Sequence, residues 1–93
     1  MQRAESFTEV TFYYFSGETE SFDLPVTPEA FQEQLDSVLN QDWLTVHLFD
    51  RTVFIRTAQI TKVEVKPPIT AIQGEGVFSD AQRVTALTHG AKG

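Results

Sequence analysis

The chain contains no cysteine. Disulfide scaffolds, cysteine nucleophiles and cysteine-bearing zinc sites are therefore excluded. Histidine is scarce: there are two, His47 and His89, and neither has a second histidine nearby in sequence. No apolar run approaches the roughly 18 residues of a membrane span, so no transmembrane segment is expected. The opening Met1-Gln2-Arg3-Ala4-Glu5-Ser6 lacks a basic stretch followed by an apolar one. No secretory signal is expected, and a cytoplasmic location is the corresponding expectation. The lysine-bearing phosphate loop, the three-glycine dinucleotide pattern and the calcium-loop pattern are all missing. Gly74-Glu75-Gly76 holds only a fragment of such a motif and reads as a hinge.

What remains is a chain of 93 residues, 41% hydrophobic and 22% charged. That length makes one domain, and that apolar share supports a small core. The net charge of −6 is unevenly placed. Residues 1–42 carry nine acids against Arg3, whereas residues 43–66 carry Arg51, Arg56, Lys62 and Lys66 against Asp50 and Glu64. An acidic chain repels phosphate backbones, so nucleic acid and anionic membranes are disfavoured partners.

Thr8 to Phe15 is β-branched and aromatic, a strand composition. Val10, Phe12 and Tyr14 fall on one face; Phe7, Thr11, Tyr13 and Phe15 fall on the other. Glu18 to Leu24 forms the next strand. A three-residue loop, Phe15-Ser16-Gly17, sets Val10 against Phe22 and leaves Gly17 where a left-handed conformation is needed.

A helix begins at Thr27-Pro28, an N-cap followed by proline at the first helical position. Val26 and Phe31 are spaced as a hydrophobic staple, and Glu29 suits the positive end of the dipole. Phe31, Leu35, Val38 and Leu39 make an apolar stripe that ends near Asn40 or Gln41. Trp43 then opens an expected three-strand meander. Asp50-Arg51 is its first turn, with Leu48 opposite Val53 and Val46 opposite Ile55. The last strand points Val63 and Val65 inward and Lys62, Glu64 and Lys66 outward, and Pro67-Pro68 ends it.

The order is β-β-α-β-β-β, which predicts an α+β class. One small domain, residues 1–67, would hold a curled antiparallel sheet of about five strands with one amphipathic helix. Curling toward a small barrel is the alternative. Residues 68–93 read as a flexible tail. Ser79-Asp80-Ala81-Gln82 matches a capping box, so a short helix near 80–89 is expected there.

Catalytic constellations are thin. His47, with no second histidine nearby in sequence, reads as a partly exposed strand histidine, and His89 suits a helix C-terminus. Glu18 with Glu20, and Glu29 with Glu33 and Asp36, read as solvated acids rather than a paired-carboxylate or metal site. The expectation is a protein that is not an enzyme and carries no catalytic residue, metal or cofactor.

The aromatic excess is more informative: eight Phe, two Tyr and one Trp. Phe7, Tyr13, Phe15, Phe49 and Phe54, with His47, fall on the sheet face opposite the one assigned to the helix. An antiparallel sheet usually keeps one face wet, and this one is not clearly polar. Such a face is buried by curling of the sheet, covered by the tail, or serves as an interface for a partner or a second copy. The partner-binding candidates are Tyr13, Phe15, His47, Phe49, Phe54 and Arg56. Aromatics interleaved with Arg51, Arg56 and Lys62 also suit single-stranded nucleic acid, where bases stack on rings. The strand–turn–strand of Thr52 to Val65 is similar in pattern to the second half of Sm-like RNA-binding folds, over about fifteen residues of alternating β-branched positions. The leading β-β-α order departs from that family's leading helix, and no RNA-binding residue carries across. The expected function is a non-catalytic interaction module, an accessory or regulatory subunit. It would bind a protein partner, or a second copy as a homodimer, through the aromatic face, the tail or both. The alternative is a weak RNA or single-stranded DNA binder acting through residues 43–66.

Overall fold

The computed structural model describes residues 7–85. Five strands and one helix follow in the order β1 (Thr8–Tyr14), β2 (Thr19–Leu24), α1 (Pro28–Leu39), β3 (Trp43–His47), β4 (Thr52–Arg56) and β5 (Ile60–Lys66). All pairings are antiparallel, so the α+β class and the β-β-α-β-β-β order stand as read. The strands are parted into two sheets, one ordered β2-β1-β5 and one made of β3 and β4.

The first turn forms as its residues dictate. Val10 pairs with Phe22, and Gly17 adopts φ 97°, the left-handed region open to a residue without Cβ. The Gly17 N–H donates to the Tyr14 carbonyl at 2.9 Å, and the Tyr14 N–H to the Glu18 carbonyl at 3.0 Å.

The helix also starts where its cap residues place it. Thr27 sits in extended conformation, and its hydroxyl oxygen accepts the Ala30 N–H at 3.1 Å. Asn40 caps the far end, and Val26 packs on the cluster that holds Phe31. Leu39, expected on the buried stripe, is exposed. Thr8 is fully buried, and its hydroxyl donates to the Val26 carbonyl at 2.6 Å, tying the start of β1 to the loop before α1.

Two pairings differ from the expected meander. Ile60–Lys66 does not fold back on β4; it crosses to β1, with Val10 opposite Val65 and Phe12 opposite Val63. The connection Thr57–Gln59 is a single 3-10 turn and holds no Gly, Asn or Asp for a tight hairpin. The β3–β4 turn centres on Phe49-Asp50 rather than Asp50-Arg51, with the Leu48 N–H donating to the Arg51 carbonyl at 2.7 Å. Val46 therefore meets Val53, and Leu44 meets Ile55. The slip is two positions, so every side chain keeps its face and only its partner changes.

The core gathers Val10 and Phe12 of β1, Phe22 of β2, Phe31 of α1 and Ile55 of β4. Leu44, Val46 and Val53 add to it from the inner face of the β3–β4 hairpin, and Val63 and Val65 from β5. Helix and both sheets thus share one apolar centre, since each has one side to bury. Residues 67–85 form no helix or strand. Of the short helix expected near 80–89, residues 80–85 show none, and Asp80 has φ 60°, outside the right-handed helical region. Residues 86–89 lie outside the described residues.

Candidate interaction surface

The two outer sheet faces have opposite characters. On the three-stranded sheet, the outward side chains of β1, β2 and β5 are Glu9, Thr11 and Tyr13, then Thr19, Ser21 and Asp23, then Lys62, Glu64 and Lys66. Some of these residues bond to one another. Thr11 and Ser21 hydroxyls lie 2.7 Å apart, and the Tyr13 hydroxyl donates to Glu64 Oε1 at 2.7 Å. Lys62 Nζ lies 4.2 Å from the Tyr13 ring centroid, and Arg83 donates to Glu64 Oε2 at 3.0 Å. The Tyr13 bond to Glu64 raises the phenol's pKa, with burial and the carboxylate charge adding to it. The same bond chiefly lowers the Glu64 pKa, helped by Lys62 and Arg83 against a smaller opposing effect of burial.

The outer face of the β3–β4 hairpin is aromatic. Trp43 stands opposite Arg56, Thr45 opposite Phe54, and His47 opposite Thr52. The Arg56 guanidinium lies 5.0 Å from the Trp43 ring centroid, a cation–π contact. His47 Nδ1 lies 3.1 Å from the Thr52 hydroxyl. Phe54 is 63% exposed and Trp43 48%, although both stand on a regular strand. Phe49 protrudes fully exposed from the turn, beside an Asp50–Arg51 pair at 3.0 Å.

The expected single aromatic face is therefore divided. His47, Phe54 and Arg56 come together on the hairpin, with Phe49 at its tip. Tyr13 belongs to the other, polar face, where its hydroxyl and ring are both engaged. Phe15 lies in the β1–β2 loop, 71% exposed, with its N–H donating to the Gln59 carbonyl at 2.9 Å. Trp43, not among the sequence candidates, stands on the same hairpin face. Its odd position in the alternation of Thr45 and His47 carries the signal, because residues two apart on a strand share a face.

Among the described residues no three His, Asp or Glu side chains are grouped to hold a metal ion. The Tyr14 hydroxyl donates to Glu20 at 2.7 Å, and burial and this bond raise its pKa. No helix among the described residues is long and apolar enough to cross a membrane. No protein-family model, curated protein or solved structure matches the chain.

Proposed function

We propose that the chain is a non-catalytic protein-interaction module, an accessory or regulatory subunit whose partner packs on the outer face of the β3–β4 hairpin. One observation carries this reading: Trp43, Phe54 and Arg56 are held, exposed, on paired strands rather than on a loose loop. Large apolar side chains left in water on a regular element mark an interaction site, and Trp and Arg are the residues that most often dominate binding energy. Phe49 at the tip extends the patch. Exposed Phe78 and Val84 make the segment after β5 a second contact.

A photo-reactive phenylalanine analogue placed at position 54, and separately at Ser21 on the polar face, tests the reading in the source cell. The expected result is a nuclease-resistant protein adduct from position 54 and none of that mass from position 21. Equal labelling from both positions would refute the hairpin surface.

The guanidinium stacked on an indole beside an open phenyl ring also suits a single-stranded nucleic acid, with bases on the rings and Arg56 near a phosphate. The net charge of −6 opposes that reading. A nuclease-sensitive adduct from position 54 would favour it over a protein partner.

A further inference from the structure

The β3–β4 hairpin is a two-stranded ribbon, so each strand has an edge outside the ribbon. Hydrogen-bonded and non-hydrogen-bonded pairs alternate along an antiparallel ribbon. The Leu48–Arg51 bond of 2.7 Å and the Thr57–Asp42 bond of 3.1 Å mark hydrogen-bonded pairs at the two ends. In register with them, Leu44 with Ile55 and Val46 with Val53 bond inward. Thr45 and His47 consequently turn their N–H and C=O groups away from β4. Among the described residues, nothing bonds to those main-chain groups.

A cleft of about 290 Å³ runs beside the same edge. Leu35 and Val38 of α1 line one side and the four consecutive residues Leu44 to His47 of β3 another, with Phe12, Leu24, Pro25 and Val26 closing the inner end. No β4 residue lines it. Leu44 and Val46 reach it from the ribbon's inner face, and with Thr45 and His47 also lining it and no β4 residue present, the cleft lies toward the β3 edge. An unpaired strand edge and an apolar slot thus coincide between α1 and β3.

We propose that β3 accepts an extended peptide segment of a protein partner as an added strand, with apolar side chains at alternate positions entering the cleft and Lys or Arg flanking them. This rests on the interaction-module reading and adds the chemistry of the partner. The free N–H and C=O groups of Thr45 and His47 require an extended backbone, because a helix has satisfied its own. Strand alternation then sends every second side chain toward Leu44 and Val46, and the others toward Trp43. Charge selects the flanks: the chain's net charge is −6, and Asp42 stands just before β3. A second copy of this chain is a poor occupant, since its own net charge is −6.

The test is selection of random phage-displayed peptides on the full chain. The best peptide is then synthesised and its affinity measured by anisotropy. The expected sequences alternate apolar residues and carry basic flanks. Thr45→Pro removes the outward N–H while sparing the ladder to β4, so the ribbon is retained and binding weakens about tenfold or more. Backbone N-methylation of the peptide gives the same answer without altering the protein: alternate amides are sensitive and those between are not. Circular dichroism of Thr45→Pro checks its fold. No enriched peptide, a helical spacing of apolar residues, or indifference to N-methylation would overturn the proposal. So would a dimer of the full chain that Thr45→Pro dissolves, because the occupant would then be a second copy. If the adduct from position 54 forms while the peptide arm is negative, strand addition fails and the hairpin-face reading stands. The reverse pattern sinks that reading alone.

Discussion

Glu64 shows how one carboxylate organises a surface. It accepts from Tyr13 and Arg83, with Lys62 3.9 Å away, and all three partners favour its charged form. Its folded-state pKa is lowered, first by the Tyr13 hydroxyl and then by the two cations against opposing burial. Above the ordinary glutamate value of about 4.3 its contribution to stability is fully present, and it fades as pH falls through the lowered folded value. The expected NMR titration gives Glu64 a midpoint below that of an ordinary glutamate, and Tyr13→Phe moves it upward. A midpoint indifferent to Tyr13→Phe would show that the hydroxyl is not the cause. This pairing is not readable in sequence, because 51 positions separate the two residues and only the β1–β5 register brings them together.

At the level of elements, legibility follows the specificity of local chemistry. Thr27-Pro28 opens α1 and Gly17 closes the first loop, since each residue type suits few other conformations. Thr27→Ala removes the acceptor for the Ala30 N–H, and the expected loss of about 1 kcal/mol is read by urea denaturation. The hairpin turn was less legible. Phe49 and Asp50 both have negative φ, so the Gly or Asn that marks a primed turn is absent, and two neighbouring registers look alike. Face membership survived this slip because the strand period is two. That is why His47 and Phe54 share a face in either register while their cross-strand partners differ. The division of the strands into two sheets was hidden for another reason: no local residue pattern records which strand edge a distant segment will choose.

Across the whole molecule, burial separates aromatics that hold the fold from those that face water. Phe12 packs against Phe22, ring centroids 6.1 Å apart, at the centre shared by both sheets and the helix. Phe12→Ala is expected to cost about 3–5 kcal/mol in urea unfolding. Phe54→Ala is expected to stay within roughly 0.5 kcal/mol, because the phenyl ring is already in water. Equal losses would mean that the hairpin face is buried in solution. The crossing of β5 to β1 has a further consequence, for the growing polypeptide. Among the described residues, β1, the first strand to be made, lies between β2 and β5, the last of them. A nascent chain that has emerged only through Gln59 has every strand except the one that covers the second edge of β1. Val10 and Phe12 then wait on one flank for Val65 and Val63, and the three-stranded sheet closes only after a long loop of chain has been gathered in. Completion of this sheet therefore waits for β5, and until then the open side of β1 is the part most in need of shelter from other chains.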